Sequence, residues 1–422
     1  MNAELLRELS RRPVDWRDKG FPDAPSVTLG ELGEQSWNVL DGDLPLPVMV
    51  IKDAAVEHNL ETMSRWCDDH GVSIAPHGKT AMAPQLVARQ FAHGAWGVTA
   101  ATITQARIFH RFGASRIIIA NQVVDHAGLD WLRGALEVGL EIYTLVDSVD
   151  AVQRADEALR GVRSPLQVLV ELGAVGKRTG VRSVEEARAV AEAASVAPSL
   201  DVAGVEAYEA VLGASDDPAI IASIDGMMDE LSQVMKRLAT DGVFSGREEV
   251  LITAGGSAYF DRVAAKLVGL DVGIPTRVII RSGCYVVHDE GKYHRLSALD
   301  GRASGGPVLQ PAMELWSVVL SRPEPTLAVL GMGKRDASYD LSLPIPHTLQ
   351  TKCGRRDVRD RLSVVNLYDQ HAVVRVKPGT EIEVGDLVGA GIDHPCTAFD
   401  KWRLLPTVDD EYTVTGGVVT YF

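Results

Sequence analysis

Ala75-Pro76-His77-Gly78-Lys79-Thr80 closes a short apolar run (Val72, Ile74, Ala75) and opens a helical pattern at Met82, Leu86 and Val87. Lys79 therefore falls at the carboxyl end of an expected strand, on the turn into a helix. In α/β barrels that end of the strands carries the active site. A lysine amine held there can form a Schiff base with a carbonyl compound. A solvated lysine in a βα turn is the competing reading, and the surrounding chain decides between them.

From about residue 47 the chain alternates short β-branched runs with helix-like stretches. The runs are Val48–Ile51, Val72–Ala75, Gly97–Ala101, Arg116–Ala120, Glu141–Val146, Leu166–Leu172, Val202–Tyr208, Val250–Thr253 and Arg277–Ile280. Amphipathic stretches such as Val149–Leu159, Val184–Ala194 and Ile220–Leu238 lie between them. This rhythm predicts right-handed βαβ units and a parallel sheet. Nine runs are one more than an eight-stranded barrel needs. An open doubly wound sheet is disfavoured, because no GxGxxG follows an early strand. After about residue 288 the runs Ala312–Leu320, Thr326–Leu330, His371–Val376 and Leu387–Gly391 are separated by Gly and Pro, without long helical patterns. The fold class expected is α/β, a TIM-like (β/α)8 barrel followed by a mainly antiparallel β domain.

The 422 residues exceed one ordinary core. A formal charge of −15 argues against nucleic acid or an anionic membrane as partner, since both need a basic surface. No stretch approaches the roughly 20 apolar residues of a membrane span. Met1-Asn2-Ala3-Glu4 does not begin a signal peptide, and Cys67, Cys284, Cys353 and Cys396 form no framework spacing. A cytoplasmic protein with reduced thiols is the expectation.

The strand ends collect polar groups. They are Asn121-Gln122, Asp147-Ser148, Glu171 through Gly176-Lys177-Arg178-Thr179-Gly180, Glu206-Ala207-Tyr208-Glu209, Thr253-Ala254-Gly255-Gly256-Ser257 and Arg281-Ser282-Gly283-Cys284-Tyr285. Gly255 and Gly256 let backbone N–H groups approach an anion ahead of a helix, and the Ser257 hydroxyl adds a donor, which suits a phosphate. Gly283 serves the same phosphate from the next strand. A plain glycine turn with Ser257 as helix cap is the alternative. Arg178 never deprotonates, so it can donate to a ring nitrogen and keep that nitrogen unprotonated. Tyr208 can orient a ring or hydroxyl. His394-Pro395-Cys396 would place two borderline-to-soft ligands one residue apart on a strand, able to share a Zn²⁺ with positions left open.

With these residues in order, roughly residues 46–400 resemble the fold-type III pyridoxal-phosphate (PLP) enzymes of the D-serine dehydratase and D-threonine aldolase branch. The resemblance is carried by Pro76–Thr80, Gly94–Thr99 with Ala101-Thr102, Ile119–Val124, Arg178–Gly180, Ala207-Tyr208, Gly255–Ser257, Gly283–Tyr285 and His394–Cys396. Residues 1–45 and Gly333–Ser338 look like the longer bacterial amino acid deaminase members. The resemblance implies that Val48–Ile51 joins the β domain, leaving eight barrel strands. It divides the chain into a PLP-binding barrel over 52–288 and a β domain formed by 1–51 with 289–422, which carries the metal-ligand pair.

By the same resemblance Lys79 is the cofactor lysine and the general base. Arg178 faces the pyridine nitrogen and Tyr208 lies by the ring. Gly255, Gly256, Ser257, Gly283, Cys284 and Tyr285 belong to the cofactor pocket, and His394 and Cys396 bind Zn²⁺ or another divalent cation such as Mn²⁺. Glu209 departs from the family's frequent histidine, and Cys284 from its frequent asparagine or serine. The activity implied is α,β-elimination from a β-hydroxy D-amino acid such as D-serine or D-threonine, giving a 2-oxo acid and ammonia, in a homodimer. Alternatives are a D-threonine-type aldolase, a β-hydroxyaspartate dehydratase and a non-catalytic PLP carrier. Cys396 at the second ligand position looks like the zinc-dependent dehydratases, where the manganese-using aldolases carry aspartate.

Overall fold

The computed structural model describes residues 1–23, 27–302 and 305–422. Eight strands form one parallel sheet, in the spatial order Ser73–Ile74, Thr276–Ile280, Val250–Ala254, Leu200–Ala207, Leu166–Leu172, Glu141–Val146, Arg116–Gln122 and Val98–Ala100. The two ends of this path meet. His77 and Thr99 form a parallel bridge, the Thr99 N–H donates to the Pro76 carbonyl at 2.8 Å, and the Trp96 N–H donates to the Ile74 carbonyl at 2.8 Å. The sheet is therefore a closed barrel, and its seam runs through the lysine stretch.

Alternation along the strands explains the two apolar layers. Ala75, Ile118, Tyr143, Leu145, Leu169, Ala203, Leu251 and Ile279 pack together as one cluster. Their strand neighbours, such as Ile117, Ile119, Val168, Val170, Val250 and Ile252, pack in the other direction with the helices. This is the period-2 rule of a strand applied around a barrel.

Local chemistry starts the helices where the rhythm places them. Thr102, Asp125, Ser148, Ser183 and Asp217 each accept a backbone N–H of the following first turn. These side chains satisfy donors that a helix start leaves orphaned. The helices Val149–Ala158, Val184–Ser195 and Pro218–Thr240 follow the expected spans closely.

The remaining strands build a mainly antiparallel sheet. Val48–Lys52 pairs antiparallel with Met313–Glu324 and parallel with Leu404–Val408, so it lies in this sheet and not in the barrel. Leu387–Gly391 sits between Met313–Glu324 and Ile345–Thr351. Two residues beyond it lies Asp393, whose carboxylate accepts the Lys292 N–H at 3.0 Å and the Ser342 hydroxyl at 2.8 Å. That clamp brings the end of the β sheet to the segment that leaves the last barrel strand.

His394-Pro395-Cys396 is not on a strand, contrary to the sequence expectation. His394 adopts φ +68°, in the left-handed region, and caps a short helix over Pro395–Phe399. Pro395 at the first helical position explains the change, because its ring presets helical φ and its missing N–H costs nothing there.

Gly78 has no room for a side chain. A Cβ there would sit 2.3 Å from Phe109 Cζ, and Phe109 is fully buried. Gly78→Ala is expected to lower unfolding free energy by about 1–3 kcal/mol, the usual penalty of overpacking, read as a fall in the urea midpoint at unchanged slope.

Candidate active site

A cavity of about 220 Å³ opens at the carboxyl ends of the barrel strands. Its wall includes Lys79, Arg178, Tyr208, Gly255, Gly256, Ser257, Gly283, Cys284, His394 and Cys396. Residues predicted from six separate stretches thus converge on one space. A larger groove of about 370 Å³ runs beside it over Thr102, Arg107 and Trp131, and it contains no lysine, cysteine or histidine. Tyr285 is the one predicted site residue that does not reach the cavity. It is buried against Gln90 and Cys67, and Tyr293 lines the wall instead.

Lys79 stands on a single 3-10 turn, Gly78–Thr80, between the barrel strand and the helix Pro84–Ala92. Its side chain is exposed and lines the cavity. Its neighbour His77 is deeply enclosed, and burial together with Lys79, Arg281 and Arg178 drives its pKa well below the ordinary histidine value. His77 is therefore neutral, and its Nδ1 has no partner among the described residues.

The Arg178 loop is held from below. Glu171 accepts the Thr179 hydroxyl at 3.0 Å and a hydrogen bond from Gln122, and Asp147 accepts the Gly180 N–H at 3.0 Å. Arg178 is left exposed, with its guanidinium 5.2 Å from the centre of the Tyr208 ring. A fixed cation beside an aromatic face suits a planar heteroaromatic ligand. Burial pushes the Tyr208 hydroxyl up to about 12, with Glu209 adding to the effect, so it stays protonated and able to donate.

Below these groups lies a buried ion pair. Arg281 bonds Glu206, and both side chains are almost fully enclosed, at 5% and 2% exposure. Arg281 also donates to the Thr253 hydroxyl at 2.7 Å and the Ala207 carbonyl at 3.2 Å. It ties three adjacent strand ends into one platform.

The glycine turn holds a difference from expectation. The Gly255 and Gly256 N–H groups donate to the two carboxylate oxygens of Glu209, at 3.0 and 2.8 Å. The anion on this nest is the chain's own carboxylate. Ser257 does not cap the next helix, which begins at Phe260 behind Tyr259. Its hydroxyl accepts the Cys284 N–H at 3.1 Å instead.

Small residues are required around the cradle. A Cβ on Gly283 would lie 2.5 Å from the His77 carbonyl oxygen, and one on Gly256 would lie 3.2 Å from Tyr208. The Ser257 hydroxyl, the cation–aromatic pair and Lys79 supply the donor, ring contact and amine that a phosphorylated pyridine aldehyde needs, so these residues fit PLP.

The cysteine side chains meet at the other end of the cavity. Cys284 Sγ lies 3.6 Å from Cys396 Sγ, and Cys396 Sγ lies 3.6 Å from Thr80 Oγ1. Their mutual hydrogen bond pulls Cys396 below an ordinary thiol and pushes Cys284 well above one. His394 Nδ1 is bonded to Asp340 Oδ2 at 2.5 Å, and Thr397 braces the same carboxylate at 2.6 Å. A carboxylate on one ring nitrogen fixes the ring and leaves the other free to ligate a metal. The His394 and Cys396 donor set therefore fits a divalent cation of borderline softness.

Lys292, Tyr293 and Asp340 were not singled out from sequence. Asp340 lies 54 residues before its histidine, with no spacing signal. A further His288–His294–Asp300 cluster, with both imidazoles on one carboxylate oxygen at 2.7 and 2.8 Å, braces the segment bearing Tyr293.

Comparison with known proteins agrees with this geometry. Residues 51–266, just over half of the chain, match the family model "Alanine racemase, N-terminal domain", and residues 312–408 match "Putative serine dehydratase domain". The chain belongs to the fold-type III pyridoxal-phosphate family that these domains define. It is 25% identical over 365 residues to a 3-hydroxy-D-aspartate aldolase of Paracoccus denitrificans (strain Pd 1222), covering 85% of this chain and 88% of that one. Over 141 residues it is 31% identical to a D-threo-3-hydroxyaspartate dehydratase of Delftia sp. (strain HT23), covering 33% and 36%. Among solved structures, the D-threonine aldolase from Filomicrobium marinum superposes with a TM-score of 0.75 at 22% identity, over 90% of this chain and 95% of that one. That likeness establishes the shared fold.

Glu206→Leu would leave the Arg281 guanidinium buried and unpaired, and arginine cannot shed its charge. The expected cost is about 3–5 kcal/mol, seen as a lowered thermal midpoint.

Proposed function

We propose that this protein is a PLP- and divalent-metal-dependent lyase that removes water from a β-hydroxy D-amino acid, such as D-serine or D-threonine, and releases a 2-oxo acid and ammonia. The observation that carries this reading is the convergence of Lys79, Arg178, Tyr208, the Gly255–Ser257 turn, His394 and Cys396 on one cavity.

Lys79 would anchor the cofactor carbonyl. Arg178 and Tyr208 would flank the ring. Ser257, Gly283 and Cys284 would stand beside the phosphate, while the Gly255 and Gly256 N–H groups bind Glu209. His394 and Cys396 would hold the metal, with Zn²⁺ the cation that a thiolate and an imidazole favour. Bound there, PLP supplies the electron sink for charge developing at the substrate Cα, and the metal supplies Lewis acidity toward the β-hydroxyl.

The chain's own groups do the rest. The cavity wall carries Lys79, Arg178 and Lys292, whose positive charge would attract a substrate carboxylate. Lys79 Nζ would be the base that takes the proton from the substrate Cα. Neutral His77 beside it adds no competing positive charge. Asp340 holds the His394 ring through Nδ1, so that Nε2 would be the nitrogen offered to a metal. Loss of the Cα proton and the β-hydroxyl makes one water, and hydrolysis of the resulting enamine consumes one. The net products are the 2-oxo acid and ammonia.

A second reading is retro-aldol cleavage, favoured by the aldolase relative from Paracoccus denitrificans. There a base takes the β-hydroxyl proton and the Cα–Cβ bond breaks, giving glycine and an aldehyde from D-threonine. The proposed assembly is a homodimer with a small-molecule substrate and no nucleic acid. Among the described residues, no helix is long and apolar enough to cross a membrane.

Incubation of the PLP-loaded enzyme with D-serine, D-threonine and D-threo-3-hydroxyaspartate, with and without a chelator, tests the reading. Chelator-sensitive release of a 2-oxo acid is expected. Glycine plus aldehyde, with no 2-oxo acid, would replace elimination by aldol cleavage. Separately, Lys79→Ala should lose both turnover and the visible absorption band of lysine-linked PLP, and persistence of that band would move the anchor to another residue.

A further inference from the structure

We propose that Cys284 is a second thiolate ligand of the metal, so that Cys284, Cys396 and His394 form a Cys2His site with its fourth position open to the substrate oxygen. This rests on the reading of His394 and Cys396 as metal ligands. It departs from the sequence-based placement of Cys284 in the cofactor pocket.

Two observations carry the assignment. First, the side chain of Cys284 turns away from the glycine cradle and toward Cys396, with the sulfurs 3.6 Å apart and no disulfide between them. Two thiolates about 2.3 Å from a tetrahedral zinc stand about 3.8 Å apart, so the pair already has the spacing of one coordination edge. Second, Thr80 Oγ1 lies 3.8 Å from Cys284 Sγ and 3.6 Å from Cys396 Sγ, and so braces both sulfurs from the lysine turn.

The His394 ring stands further off than the sulfurs stand from each other, since the three groups do not all lie within 4.8 Å of one another. Metal binding would draw its free nitrogen inward while Asp340 holds the other. Three protein ligands with an open fourth position is the arrangement of catalytic rather than structural zinc, and Cys2His is one known form of it. The consequence is chemical. A second thiolate donates more charge to the ion than a lone cysteine would. It also fills a position that substrate or water would otherwise take, leaving one site for the β-hydroxyl.

Cobalt(II) in place of the native metal tests this, on the reduced, PLP-loaded full chain. Wild type should show near-ultraviolet thiolate-to-cobalt charge transfer, and Cys284→Ala should lose about half of it per bound cobalt, as one of two thiolates is removed. Metal should protect two thiols from an aromatic disulfide reagent in wild type and one in Cys284→Ala. Retention of the visible PLP band shows that the variant is folded.

A full-strength band in Cys284→Ala, abolished in Cys396→Ala, overturns the assignment of Cys284 and leaves the metal reading intact. Absence of any sulfur band in wild type overturns both. Cobalt colour without a sulfur band, removed by His288→Ala, would place the ion at the His288–His294–Asp300 cluster and likewise overturn the proposal.

Discussion

The barrel closes on the stretch that carries its reactive lysine, and the rest of the site depends on that seam. Ser73–Ile74 is only two residues long, so regular ladder pairing cannot hold it alone. The Ala75 N–H donates to Ile280 on one side at 2.9 Å, and the Ala75 carbonyl accepts the Thr99 hydroxyl on the other at 2.7 Å. Gly78 then packs directly on Phe109. A turn fixed on both flanks and from beneath presents Lys79 in one place. A flexible loop would have to order that side chain on every binding event, at a cost in conformational entropy.

Around this seam the strand ends are joined by groups that are themselves satisfied. Arg281 links Glu206, Thr253 and Ala207, while Glu171 and Asp147 hold the Arg178 loop. Buried charges are costly unless paired and hydrogen-bonded. Here they are confined to the platform, and the groups facing the cavity are left free to bind. Burial pushes Glu206 and Glu171 upward, while Arg281 and Arg178 pull against it. Lys79, Arg178 and Lys292 stand in the cavity wall of a chain whose formal charge is −15.

Much of this was legible in the sequence because it depends on local rules. Alternating β-branched runs and capped helices announce βαβ units, and the barrel strands fall close to where the runs placed them. The strands Ile345–Thr351, Gly354–Asp357 and Leu362–Leu367 were not anticipated. Gly354–Asp357 is exposed throughout, and Ile345–Thr351 carries Pro346, so neither shows the apolar alternation that marks a strand. The helix at Pro395–Phe399 was missed because two ligand types one residue apart read equally well on a strand. Tyr285 and Tyr293 were exchanged because a single tyrosine carries no sign of which face of its turn it will occupy.

The sequence by itself determined the alternation of strand and helix, the position of Lys79 at a strand end, and the set of polar residues at the other ends. Those follow from periodicity, capping and backbone freedom, which act over a few residues. Only the tertiary structure decided which of these groups meet. It gave the Gly255 and Gly256 amides to Glu209, set Asp340 on His394, and brought Cys284 against Cys396 across 112 positions of chain. Such contacts depend on how the barrel end and the β sheet pack against each other, and no spacing rule along the chain encodes them.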